Sequence, residues 1–124
     1  SSLRTRGKPV IYCGDLNVAH EDVDLWGRHK ENASSAGFTP RERACMTTLL
    51  SECDLIDTFR EFNGPDARAF TYWSYRGGAR EKNRGWRLDY VLASAATRDR
   101  LLDAWTLPDV LGSDHCPVAV RLRP

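Results

Sequence analysis

Val10-Ile11-Tyr12-Cys13-Gly14-Asp15-Leu16-Asn17 decides the fold. Its first four residues are an unbroken apolar run, the pattern of a central buried strand. The run stops abruptly at Gly14, and two polar side chains follow at a spacing of two. In extended chain that spacing points Asp15 and Asn17 to one side. A carboxylate beside an amide can hold and deprotonate a water, or bind a hard metal. An isolated Asp-x-Asn is more often a turn with Asx hydrogen bonds to its own backbone.

Outward from this strand the chain reads as mixed α/β. Upstream, Ser1 to Gly7 form a polar helix end cut at residue 1, with Gly7 as its stop signal. Downstream, Val18 to Gly37 form a long polar loop without a clear period, a length that usually marks function or mobility. Thr39-Pro40-Arg41-Glu42 starts a helix: Thr39 caps it, Pro40 fits the first position, and Glu42 completes a capping box. Met46, Leu49, Leu50 and Cys53 give that helix one apolar face.

Leu55 to Phe62 is a connection with a short extended piece, and Asn63-Gly64-Pro65 is a turn. Phe70 to Tyr75 and Arg87 to Ala93 read as strands. Thr97 to Leu107 reads as a second helix burying Leu101, Leu102 and Trp105. Cys116, Val118, Val120 and Leu122 alternate with Pro117, Ala119, Arg121 and Arg123, the pattern of a last strand with one buried face. These elements predict one mixed sheet with helices on one face and an apolar, uncovered second face.

Composition sets the outer bounds. With 124 residues the chain is one domain or part of one. Its 18 basic and 17 acidic residues leave a net charge of +1, so any contact with nucleic acid must come from a local patch. No stretch approaches a membrane span. The four cysteines, Cys13, Cys45, Cys53 and Cys116, form no C-x-x-C pair and cluster with no histidine, which argues against zinc. Each lies in an apolar stretch or on an apolar face, as reduced core thiols do.

Three further features carry chemistry. Ser113-Asp114-His115 precedes the last strand, where Asp114 could serve a metal and His115 acid/base work. Asp89 interrupts an apolar strand and needs a partner there; His115 is the natural one, and the pair would fix the imidazole tautomer. Arg76, Arg80, Lys82, Arg84 and Arg87 interleave with Tyr72, Trp73, Tyr75 and Trp86. Such a loop suits a phosphate backbone and an unstacked nucleotide, or is a solvated loop over core aromatics.

KPVIYCGDLNVAHEDVDL (8–25), AGFTPRER (36–43), FTYWSY (70–75), GWRLDYVLAS (85–94) and LGSDHCPV (111–118) occur in this order. Together they resemble the AP endonucleases of the exonuclease III family, in the endonuclease/exonuclease/phosphatase superfamily. GDLN and SDH mark the superfamily, whereas GFTPRER and GWRLDY point to its DNA-repair branch.

The resemblance implies the carboxy-terminal half of a four-layered α/β sandwich spanning residues 1–124, with the second sheet missing. It implies Mg2+ as cofactor, with Mn2+ as a substitute. The implied reaction is hydrolysis of the phosphodiester 5′ to an abasic site, giving a 3′-hydroxyl and a 5′-deoxyribose phosphate, with trimming of blocked 3′ ends. Asp15 would orient and deprotonate the water, and Asn17 would position it. His115, backed by Asp89, would stabilise charge on the phosphate. Asp114, with Asp15 and Asn17, would lie at the metal. Tyr72, Trp86 and Leu88 would wall the pocket for the base-less sugar, and Asn32, Arg76, Arg80 and Lys82 would contact DNA.

In the family an amino-terminal half supplies the second sheet, the principal metal-binding glutamate, an asparagine and a catalytic tyrosine, none of which has a counterpart here. The expected partners are therefore double-stranded DNA with abasic sites and that missing half, with no membrane. The expected compartment is a reducing one, the nucleus or the mitochondrion. The isolated chain is expected to be inactive. The alternatives are a non-catalytic DNA-binding half-module and another phosphodiesterase of the superfamily.

Overall fold

The computed structural model describes residues 2–27 and 29–124, apart from the side chains of Arg4, His29 and Lys30. A short helix α1 (Ser2–Thr5) leads through Gly7 into β1 (Ile11–Asp15). A 3-10 turn at Asp22–Asp24 and a one-turn helix α2 (His29–Asn32) precede α3 (Pro40–Glu52). Then come β2 (Leu55–Asp57), α4 (Thr58–Asn63), β3 (Asp89–Ser94), β4 (Leu101–Thr106) and β5 (Val118–Leu122).

The class is the α/β architecture the sequence predicts, but the sheet is divided. Instead of one mixed sheet, the strands form two antiparallel ladders, β1-β3-β2 and β4-β5. Ile56, Ala93, Leu101 and Val120 pack the two ladders together. Strand β1 is an edge rather than a buried centre. All five of its residues are exposed, including Ile11 and Tyr12. Its unbroken apolar run thus has no cover among the described residues.

Thr97 to Leu107 is not a helix. A 3-10 segment (Ala95–Arg100) opens directly into β4, which pairs with β5. Leu101, Leu102 and Trp105 suggested a helical face, but only Leu101 is buried; Leu102 and Trp105 are exposed. The bulge between Leu101 and Asp103 breaks the two-residue alternation that would have identified a strand. Phe70 to Tyr75 is not a regular strand either. Only Tyr72 pairs there, bridging Trp86 on one side and His115 on the other. The connection after Leu55 also contains a helix, α4, whose start Asp57 caps by accepting a hydrogen bond from Arg60 N–H at 3.2 Å.

The capping box of α3 forms as expected. Thr39 Oγ1 accepts from Glu42 N–H at 3.3 Å, and Glu42 Oε2 accepts from Thr39 N–H at 3.1 Å. Met46 is the buried residue of this helix, packed with Val18, Tyr90 and Leu92. The thiols are free, but Cys13 and Cys45 are exposed, Cys53 is half-buried and only Cys116 is buried. The uncovered face of β1 exposes Cys13.

The segment 18–37 is anchored rather than loose. Val18, Ala19, Asp24 and Leu25 are buried, Leu25 bridges Trp86, and Trp26 N–H donates to Gly85 O at 3.0 Å. Its main tie is Arg87, which sequence reasoning grouped with the DNA-facing cations. This guanidinium is buried and bonded to two carboxylates: Nε to Asp24 Oδ1 at 2.6 Å and Nη2 to Asp57 Oδ2 at 2.6 Å. Arg60 Nη2 also donates to Asp24 Oδ1, at 2.5 Å. Burial disfavours each charge, yet the opposite charges outweigh it, holding the Asp24 carboxyl below its usual range and the Arg87 pKa above its own. The network joins segment 18–25, the β2–α4 corner and the start of β3, and so sets the backbone on which Leu88 and Asp89 stand.

Candidate active site

Three chain segments meet at one end of the β1–β3 pair. Asp15 and Asp89 are cross-strand partners at the last register position. His115 is brought beside them by its bridge to Tyr72. His115 Nδ1 lies 2.8 Å from Asp89 Oδ2, and His115 Nε2 lies 3.9 Å from Asp15 Oδ2. The carboxylate at Nδ1 favours the tautomer protonated there and leaves Nε2 facing Asp15. Partial burial would lower the imidazole pKa, but the hydrogen bond and charge of Asp89, with Asp15 and Asp114 behind, raise it above the ordinary value. The arrangement therefore favours a cationic ring at the mouth of the site, suited to an anion such as a phosphate.

Asp15 and Asn17 do not project together from extended chain. Asn17 adopts a left-handed conformation (φ 52°), and its N–H donates to Asp15 Oδ1 at 2.8 Å. This is the Asx turn that an Asp-x-Asn forms with its own backbone. It leaves Asp15 Oδ2 directed at His115 and sets Asn17 in the wall of an adjacent cavity.

That cavity, of about 610 Å³, is lined by Asn17, Tyr72, Trp86, Leu88 and His115, together with Ala36, Gly37, Glu42 and Ser74. Three of the lining side chains, Tyr72, Trp86 and Leu88, are the trio named from sequence. Trp86 is steadied by Phe38 in an edge-to-face pair at 6.4 Å, and the Tyr72 and His115 rings lie 5.0 Å apart. Gly37 (φ 89°) sits so close that an added Cβ would be 3.0 Å from Asn17 O and 3.4 Å from Trp86. A side chain there would push the walls apart.

Two contributors were missed from sequence. Glu42 was read only as a cap, yet it lines the cavity. Its Oε2 accepts from Gly37 N–H at 2.9 Å, and its bonds to Thr39 and Gly37 keep the carboxylate ionised by lowering its pKa. Replacing Thr39 by alanine should cost about 1 kcal/mol in denaturant unfolding and loosen this wall; an unchanged midpoint would contradict that. Buried Thr71 is the other: its Oγ1 accepts from Leu88 N–H at 2.9 Å and Asp89 N–H at 3.0 Å, while its carbonyl accepts from Cys116 N–H at 2.8 Å. It spaces Asp89 from the His115 segment. A small hydroxyl inside the aromatic run FTYWSY was the available signal.

Other predicted residues lie elsewhere. Among the described residues, the group able to share one ion is Asp15, Asp89 and His115, their ligand atoms all within 4.8 Å; Asp114 is not in it. Asp114 is tied through its carbonyl to Trp73 N–H at 2.9 Å. Of that group, a hard ion would draw on the carboxylate oxygens of Asp15 and Asp89 rather than on the ring nitrogen of His115. Asn32 ends α2 and does not line the cavity. Arg76 is exposed, and Lys82 Nζ closes its own loop onto Gly77 O at 3.0 Å. Arg80 is not a free cation: it donates to three backbone carbonyls. No described helix is long and apolar enough to cross a membrane.

A histidine flanked by two carboxylates at the rim of an aromatic-walled cavity defines a class of site able to do acid/base work beside a bound group. The comparisons narrow it: the chain belongs to the endonuclease/exonuclease/phosphatase family, whose profile matches residues 1–115. It is 48% identical over 116 residues to an exodeoxyribonuclease of Bacillus subtilis, covering 94% of this chain and 45% of that protein. It is also 48% identical over 115 residues to the DNA repair nuclease APEX1 of Danio rerio, covering 93% and 36%. The solved AP endonuclease of Leishmania major superimposes with a TM-score of 0.87 at 35% identity, covering 92% of this chain and 35% of that one. The chain thus spans less than half the length of these relatives.

Proposed function

We propose that these residues serve divalent-metal-dependent, Mg2+-preferring hydrolysis of the DNA phosphodiester 5′ to an abasic site, yielding a 3′-hydroxyl and a 5′-deoxyribose phosphate. The observation that carries this reading is the placing of His115, between Asp89 and Asp15, at the mouth of the cavity walled by Tyr72, Trp86 and Leu88. Asp15 orients the attacking water and takes its proton, and Asn17 steadies the water. The Asp89-held His115 ring places its Nε2 side toward the phosphate oxygens, where negative charge grows. Asp15, with Asn17 and Asp114, would hold the metal ion, which would supply neutralisation of phosphate charge. The apolar walls take a flipped, base-less sugar and select it by shape.

Trimming of blocked 3′ ends belongs to the same chemistry and fits the likeness to an exodeoxyribonuclease. By itself the chain offers a metal few oxygens, so the proposal includes an amino-terminal partner segment and an inactive isolated chain. The four free thiols suit a reducing compartment, the nucleus or the mitochondrion.

The test incubates a duplex carrying one abasic analogue with the chain alone, and with the chain plus the separately made amino-terminal part of the Bacillus subtilis relative. Magnesium-dependent cleavage confined to the mixture supports the proposal. Folded, associated partners that leave the duplex intact would refute it.

A further inference from the structure

We infer that Arg80 is a positioning residue for the active site, acting by clamping the loop that delivers His115 rather than by contacting DNA. The inference deepens the proposed function, since it takes His115 as the phosphate-facing group.

Residues 108–113 connect β4 to the Asp114-His115 pair. Little burial holds this loop: Val110 is 47% and Leu111 76% exposed. What holds it is polar. Arg80 Nη1 donates to Ser113 O at 2.7 Å, and Nη2 donates to Pro108 O and Val110 O, each at 2.8 Å. Three carbonyls spread along the loop thus converge on one guanidinium, whose fixed fork can meet several acceptors at once.

The fork itself is held in place. Its carbon lies 4.6 Å from the centroid of the buried Trp73 ring. Trp73 Nε1 donates to Asn83 Oδ1 at 3.0 Å, and Trp73 N–H donates to Asp114 O at 2.9 Å. Arg80 and its platform therefore grip the loop on both sides of Ser113, one residue before Asp114 and two before His115. A phosphate contact would have to compete with these three bonds. Lysine keeps the charge and could still meet a phosphate, but it lacks the fork.

Arg80→Lys and Arg80→Gln are therefore compared in the full 124-residue chain and in the cleaving mixture. In the chain, both substitutions should speed amide exchange at Trp73, His115 and Cys116, whose N–H groups are hydrogen-bonded at this loop, at least about tenfold and shift the His115 ring-nitrogen resonances, with β3 exchange unchanged. In the mixture, both should lower kcat at least about tenfold, leaving KM and its salt dependence unaltered, and Lys should not rescue. The inference is overturned if Arg80→Lys retains parental exchange and kcat while Arg80→Gln weakens DNA affinity and lowers the salt slope by about one. If the parental mixture fails to cleave, the proposed function falls, and the exchange and ring-nitrogen measurements still decide the role of Arg80.

Discussion

Asp15→Asn should lower cleavage of an abasic duplex by the reconstituted mixture about 10²–10⁴-fold, the usual contribution of a positioned general base. The substitution isolates chemistry from structure. An asparagine at position 15 can still accept the Asn17 N–H that Asp15 Oδ1 accepts at 2.8 Å, so the turn survives. Lost are the proton acceptor and the negative charge 3.9 Å from His115 Nε2. Asp15 is exposed, so the unfolding free energy should stay within about 0.5 kcal/mol of the parent. His115→Ala should fall by a similar factor, and the double variant should lose far less than the product of the two, because the residues act as a unit. A single-turnover rate for Asp15→Asn within about threefold of the parent would remove Asp15 from the base role.

The largest stability effect should come from Arg87. Arg87→Met leaves Asp24, which has no exposed surface, without its principal partner, and breaking one side of a buried ion pair costs about 3–5 kcal/mol. That loss is a large share of a small domain's stability, so the variant should unfold at markedly lower urea concentration. The same network predicts an acid dependence. The folded Asp24 pKa lies below its ordinary 3.8, so the stabilisation is complete above about that pH and is lost as pH falls through the lower folded value. Arg87→Met should flatten this acid limb. A denaturation midpoint unchanged by Arg87→Met at neutral pH would contradict a stabilising role for the network.

Arg87 and Arg80 take different roles from one stretch of sequence. Both stand in a basic, aromatic stretch that suits a phosphate backbone, and nothing local distinguishes them. Their partners, Asp24 and Asp57 for one and the carbonyls of 108–113 for the other, are remote in sequence and become visible only when the chain folds. The Asp89–His115 pairing was legible because a carboxylate inside an apolar run demands a partner and few candidates exist. The α3 start was legible because a capping box is local. β4 was not, since a bulge gave its apolar residues a helical spacing, and its strand character depends on β5, far along the chain. The exposure of Cys13 and Tyr12 was hidden for a related reason: an apolar run reports a preference for burial, not the presence of a cover.

Under the proposed function, the cavity beside His115 directs hydrolysis to abasic sites. The most direct measurement is the ratio of cleavage rates, by the reconstituted mixture with magnesium, on a duplex carrying one abasic analogue and on the same duplex intact. The proposed role of the cavity requires a preference of at least about a hundredfold for the abasic duplex. It also requires a new 3′-hydroxyl immediately 5′ to the lesion and loss of the preference in Trp86→Ala. Equal cleavage of both duplexes, or a preference that survives Trp86→Ala, would contradict it.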